Sequence, residues 1–304
     1  MTSAWAGRID GTAADQLRWH QAVAPYVPGG DTGACVFVGF ACDTGVRRNK
    51  GRPGAAQGPD ALRRALSPMA PPAPLRAFDA GTVAVTDDEL EHGQRRLGDT
   101  VSALLDAGGF PVVLGGGHEV AFGTYLGVAG SDLARDTTVG ILNLDAHFDL
   151  RADPVPSSGT PFRQILETGD DVRYAVLGIA QPANTAALFG TARRFGVRYL
   201  LDDDCDPARA GAFVTEFLAG VDLVYLTIDL DVLPAAVAPG VSAPAAYGVA
   251  LSTIQAVCDQ VSASGKLAVA DVAELNPAFD IDGRTARTAA RLLHRIITRR
   301  TRPA

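Results

Sequence analysis

Eight short apolar runs punctuate the chain, at residues 35–40, 81–85, 111–115, 138–144, 173–179, 197–201, 222–228 and 267–273. Runs of this length, rich in Val, Ile and Leu, predict strands buried on both faces. Between them the apolar residues recur at helical spacing, as over 87–107, 184–195, 208–219 and 251–264. Ser252 and Gly265 give the last of these segments a start and a stop signal. Strand and helix in alternation predict an α/β fold with a mostly parallel central sheet covered by helices on both faces.

Residues 1–34 break the pattern, being rich in Gly, Ala and Pro around one short helical stretch, AADQLRWHQAV. They are expected to form an N-terminal arm ahead of a single domain over residues 35–304. The Pro-rich stretch at 68–74 is too short for a domain linker and reads as a surface loop. With 304 residues, 47% of them hydrophobic and 20% charged, the chain can bury one large core. A net charge of -7 argues against nucleic acid or an anionic membrane as a general partner. Cys35, Cys42, Cys205 and Cys258 form no CxxC pair and sit among apolar neighbours, as free thiols in a reducing compartment do. The start, MTSAWAGRID, has neither a basic region nor an apolar one, and the expected location is the cytoplasm.

Three of the apolar runs lead into ligand-type residues: His118 in LGGGHE, Asp145, His147 and Asp149 in NLDAHFD, and Asp229 and Asp231 in LTIDLDVL. In an α/β sheet such positions converge at the carboxyl ends of the strands. In an extended segment, residues spaced by two face one side, so DAHFD and DLD can each aim their ionisable groups into one cavity. Taken singly, DLD also suits a strand end and His118 a hydrogen-bonded core histidine; together they are too many ionisable groups to bury without compensation. Four carboxylates and two imidazoles suit two divalent ions about 3.5–4 Å apart, and the oxygen-rich, thiolate-free set favours Mn2+. LGGGHEVAFG is neither an HExxH site, since Phe122 stands at the second His position, nor GxGxxG, since Val120 stands at the third Gly.

GGGHE, NLDAHFD, IDLDVL and the later DVAELNP occur in an order and spacing that resembles the ureohydrolase family of arginase and agmatinase, from about Gly39 to about Arg295. The resemblance implies a three-layer α/β/α, arginase-like fold, two Mn2+ ions per subunit and a homo-oligomer, trimer or hexamer. It implies that His118, Asp145, Asp149 and Asp231 serve one metal or the bridge, with His147 and Asp229 at the second metal and bridging positions. It also implies that Glu274 holds the nitrogen-bearing cation of the substrate, a task for which a carboxylate can form a fork.

Two loops resemble the branch of this family that acts on N-formimidoyl-L-glutamate: GVRRNKGRPGA at 45–55 and DLRADPVPSSGTPFRQ at 149–164. That substrate is a net anion, and Arg47, Arg48, Asn49, Arg52, Arg151 and Arg163 lie in these loops, where guanidinium groups suit carboxylates. Ser158 stands where arginase and agmatinase carry a His, and a hydroxyl cannot replace an imidazole as acid or base near neutral pH. Hydrolysis to L-glutamate and formamide is expected, with Asp149 carrying the proton and Glu274 holding the amidinium. The alternatives are a guanidino-acid hydrolase or agmatinase that releases urea, and a non-catalytic binding protein. A single-zinc deacetylase has no use for six ligands.

Overall fold

The computed structural model describes residues 4–29, 33–71, 75–86, 88–169 and 171–300. Its strands are β1 (Val23–Pro25), β2 (Cys35–Ala41), β3 (Ala77–Ala84), β4 (Phe110–Leu114), β5 (Val139–Leu144), β6 (Val172–Ile179), β7 (Arg198–Leu201), β8 (Leu223–Asp229) and β9 (Leu267–Ala273). They form one sheet in the order β1-β3-β2-β4-β9-β8-β5-β6-β7, every neighbouring pair parallel. The helices are α1 (Trp19–Ala22), α2 (Thr44–Arg48), α3 (Gly58–Leu66), α4 (Leu90–Asp106), α5 (Val120–Ala129), α6 (Pro161–Leu166), α7 (Ala186–Arg194), α8 (Pro207–Ala219), α9 (Leu251–Ala263) and α10 (Arg284–Arg299).

Strands β2 to β9 each feed two cores by alternation, as the parallel-sheet reading requires. In β2, Cys35 and Phe37 join the core under α3, α8, α9 and α10, through Leu66, Phe217, Ile254 and Leu293. Val36, Val38 and Phe40 join the opposite core under α4, α5, α6 and α7, through Leu97, Val128, Phe162 and Ala192. The expected three-layer α/β/α arrangement is therefore present.

All eight expected strands occur, although β3 begins four residues before its apolar run. β1 went unseen because three residues are too few to display a period; it pairs with the edge of β3 at Val23↔Ala77. The helical stretch expected over AADQLRWHQAV shrinks to α1, whose Trp19 is fully buried and donates Nε1–H to Nδ1 of His294 at 3.0 Å. Helix α9 starts at Leu251, so Ser252 falls inside its first turn and does not cap it; Gly265 adopts φ 73 just beyond its end, as the stop signal predicts. Residues 72–74 of the Pro-rich stretch lie outside the described residues. All four cysteines are buried and free. Among the described residues, no helix is long and apolar enough to cross a membrane.

Register places the chemistry. Leu144 pairs with Ile228, Ile228 with Val272, and Val272 with Leu114, so the ends of β4, β9, β8 and β5 lie level. The loop after β4 fits beneath this edge only because it lacks side chains: a Cβ on Gly116 would lie 1.8 Å from the Cys42 carbonyl oxygen. Gly116→Ala is expected to destabilise the protein near the upper end of about 1–3 kcal/mol, read as a lowered urea midpoint. An unchanged midpoint would show that the loop yields freely.

Candidate metal centre

The strand ends deliver the ligand-type side chains through turns, not through the extended alternation expected of them. Oδ1 of Asp145, just past β5, accepts the backbone N–H of His147 at 2.6 Å. Oδ1 of Asp229, the last residue of β8, accepts the backbone N–H of Asp231 at 2.9 Å. Both are local Asp turns, so DAH and DLD curl alike on neighbouring strands. Asp149 and Glu274 take left-handed backbone conformations, φ 48 and φ 68, of the kind that cluster where function fixes the chain.

His118 Nδ1 lies 3.1 Å from Oδ2 of Asp145, 3.0 Å from Oδ2 of Asp149 and 3.2 Å from Oδ2 of Asp229. His147 Nδ1 lies 3.1 Å from Oδ2 of Asp231 and 3.5 Å from Oδ1 of Asp145. Two ligand groups result, His118 with Asp145, Asp149 and Asp229, and Asp145 with His147 and Asp231. Asp145 belongs to both. The six residues expected from sequence thus converge, but the division differs: Asp229 joins the His118 side and Asp231 the His147 side. Asp229 ends the strand beside His118, whereas the turn carries Asp231 across to His147.

The donor set fits divalent metal. Buried His118 Nδ1 is surrounded by three carboxylate oxygens yet has no hydrogen-bond partner, as a ring nitrogen directed at a shared cation would be. Electrostatics agree. Burial, then the charges of Asp231 and Asp145, pushes Asp229 well above the carboxylate range, and burial with Asp145 pushes Asp149 up to about 6. Burial opposes ionisation of Asp145 too, but His118 and His147 outweigh it and hold that carboxyl low. Cations at this centre would hold all four carboxylates in the charged form.

Supporting side chains hold the ligand loop. Asn143 donates from Nδ2 to Oδ2 of Asp145 at 2.9 Å. Asn184 clamps the loop from outside, accepting the Phe148 N–H at 3.1 Å and donating to the Ala146 carbonyl at 2.8 Å. Above the centre lies a cavity of about 120 Å³, whose walls include Asn49, Arg151, Ser158, Asn184, Ser242 and Glu274. Asn184 and Ser242 gave no sequence signal, since neither stands in a distinctive motif. Glu274 is buried, with Oε1 accepting the His118 N–H at 2.8 Å and Oε2 left without a partner. Burial, then the charge of Glu119, pushes its carboxyl up to about 8.

Of the expected arginines, only Arg151 lines this cavity. Arg47 is taken by Asp43, Thr44 and Asp88. Arg48 bonds Glu91 at 2.8 Å and the Pro156 carbonyl at 3.0 Å. Arg52 donates to the carbonyls of Val241 and Ser242 and stacks 4.1 Å over Phe279, while Arg163 pairs with Glu167 at 2.7 Å one helical turn on. These charges tie loops to one another. Asn49 and Ser158 do meet in the cavity wall, Nδ2 to Oγ at 3.1 Å.

Residues 33–298 match the model of the arginase family. The chain is 75% identical over 297 residues to a formimidoylglutamase of Nocardia farcinica, covering 97% of this chain and 96% of that protein. It is 53% identical to a formimidoylglutamase of Ralstonia nicotianae, covering 96% and 94%. In structure it is similar to the crystal structure of Trypanosoma cruzi formiminoglutamase with Mn2+, with a TM-score of 0.81, 27% identity, and coverage of 89% and 95%.

Proposed function

The chain belongs to the arginase family, a hydrolase family, and from that membership we propose that it hydrolyses N-formimidoyl-L-glutamate to L-glutamate and formamide with two Mn2+ ions. One observation carries the reading: two His and Asp groups sharing Asp145 lie beneath a cavity walled by Glu274, Arg151 and Ser158. When bound, the two ions supply the Lewis acidity that makes water nucleophilic near neutral pH.

The side chains supply the rest. The unpartnered Oε2 of Glu274 faces the amidinium, whose charge returns that carboxyl to the anion and pairs with it. Asp149 lines the cavity at the metal centre, where its carboxylate can take a proton and pass it to the departing glutamate nitrogen. Ser158 cannot share that duty, so the transfer falls to Asp149. Arg151, paired among the described residues with exposed Asp153 at 3.0 Å, can exchange that partner for a substrate carboxylate, and the Asn49 and Ser158 pair offers neutral hydrogen bonds beside it. Arg47, Arg52 and Arg163 shape the loops around this subsite.

The same reading places the enzyme in histidine degradation in the cytoplasm, which suits its buried free thiols. It treats residues 35–304 as the catalytic domain, residues 1–34 as an arm, and the subunit as part of a trimer or hexamer. Purified protein supplied with Mn2+ is expected to release formamide and glutamate in equal amounts from N-formimidoyl-L-glutamate, and no urea from agmatine. Urea from 4-guanidinobutyrate, with formimidoylglutamate left intact, would overturn the proposal.

A further inference from the structure

A second cavity, of about 380 Å³, lies at the same edge of the sheet, over the ends of β5, β6 and β7. Open parallel sheets take ligands at this edge, and the volume suits a small molecule. Ala146 comes from the loop after β5, Ala180 and Pro182 from the loop after β6, and Pro244 and Ala245 from the segment between β8 and α9. Exposed Tyr247 adds an aromatic ring to these apolar walls. His147, Ala183 and Ala243 line both this cavity and the one above the metal centre, so the two are neighbours.

The end of β7 sets a carboxyl group into those walls. Asp202 lines the cavity and is only 8% exposed. Among the described residues its one hydrogen bond is local, Oδ1 accepting the Asp203 N–H at 2.9 Å, and no Arg or Lys pairs with it. An Asn would serve that turn equally well, so the turn does not account for the charge. The imidazole in the wall, His147, is engaged by Asp145 and Asp231. Burial pushes the Asp202 carboxyl up, and neighbouring Asp203 adds like charge instead of relief. A buried carboxylate in an apolar cavity is costly until a cation meets it.

We propose that this cavity is a second ligand site, taking a small organic cation with an apolar body whose charge pairs with Asp202. An ammonium group would form a charge-assisted hydrogen bond to the carboxylate, while the body displaces water from alanine, proline and tyrosine surface. A metal ion alone would leave those walls unused, and an anion would meet Asp202 as a like charge. Glu274 lines the metal cavity and not this one, so the two cation partners are separable. The proposal does not depend on which amidine the metal centre hydrolyses.

The test is a calorimetric titration of the full-length, Mn2+-supplied protein with benzylammonium at neutral pH, with circular dichroism to check folding of each variant. One equivalent should bind with a dissociation constant on the order of 1 mM or below. Benzyl alcohol has a similar shape without the charge and should bind at least about tenfold more weakly. Asp202→Asn keeps an acceptor for the Asp203 N–H and should weaken benzylammonium at least about tenfold. Glu274→Gln should bind it as wild type does. No binding up to about 20 mM overturns the proposal, as does benzyl alcohol bound as tightly as the cation or Asp202→Asn with wild-type affinity. Weakening by Glu274→Gln and not by Asp202→Asn would place the cation in the reaction cavity and overturn it as well. Should Asp202→Asn not fold, the benzyl alcohol comparison and Glu274→Gln decide.

Discussion

Asp145→Ala is expected to lower kcat/KM on the order of 10⁴-fold, about 5.5 kcal/mol of transition-state stabilisation, and to abolish tight uptake of the second Mn2+. No other side chain stands in both ligand groups. Its Oδ2 faces His118 at 3.1 Å and its Oδ1 faces His147 at 3.5 Å, so on the proposed two-ion reading its removal would take one ligand from each ion and the carboxylate shared by both groups. Loss of Oδ1 also frees the His147 N–H, unwinding the turn that aims the second imidazole. Calorimetric titration and the shift of the unfolding midpoint on adding Mn2+ both read this, because a ligand stabilises the folded state by RT ln(1 + [L]/Kd). A variant with wild-type activity, or one that still gains the wild-type stabilisation from Mn2+, would refute the assignment of Asp145 as a shared ligand.

The convergence of these six residues was legible because each motif follows a strand that is apolar enough to be recognised, and parallel strands bring their ends level. Two things were hidden. The first is how the side chains reach the centre: turns made by the Asp side chains themselves, not pleat alternation, set which Asp faces which His, and that division reversed the expected places of Asp229 and Asp231. The second is the fate of the arginines. Their loops were identifiable, but whether a guanidinium faces a cavity or a neighbouring loop depends on tertiary partners such as Asp88, Glu91 and the Val241 carbonyl, which lie 41, 43 and 189 residues away in sequence.

Some of what was missed did leave a trace. Asn143 in ILNL, Thr227 in LTID and Asp271 in VADV are polar interruptions of strands otherwise fit for full burial, and all three are buried. A polar group in such a strand has to find a partner inside. Asn143 finds Asp145, and Thr227 finds His118. Two of these interruptions lie in β5 and β8, whose ends carry ligands, and the third lies in β9, which leads to Glu274.

Glu274→Gln is expected to lower kcat/KM on the order of 10²- to 10³-fold while leaving Mn2+ content unchanged. Gln keeps the shape, and its carbonyl can still accept the His118 N–H that Oε1 now accepts at 2.8 Å, so the loop after β4 should stay in place. What goes is the anion proposed to pair with the amidinium. Charge-assisted hydrogen bonds are roughly twice as strong as neutral ones, and a buried site magnifies the difference. The pH profile supplies a second reading. With substrate and metal absent, the carboxyl is pushed up to about 8 from an ordinary 4.5, so it must lose a proton before it can pair with a cation. Neighbouring dications lower that value, so kcat/KM of the wild type should climb with pH along a limb at or below about pH 8, and this limb should be missing in the variant. Stability should move the other way. A carboxyl raised on folding favours the native state most below its unfolded value, and that contribution is lost as pH rises through its folded value. Metal-free Glu274→Gln should therefore unfold no earlier than metal-free wild type at pH 8.5, and by a higher midpoint if the carboxylate is as uncompensated as its unpartnered Oε2 indicates. A variant that retains activity within about threefold, or that loses activity and stability together, would remove Glu274 from the substrate site and leave it a structural acceptor for the His118 N–H.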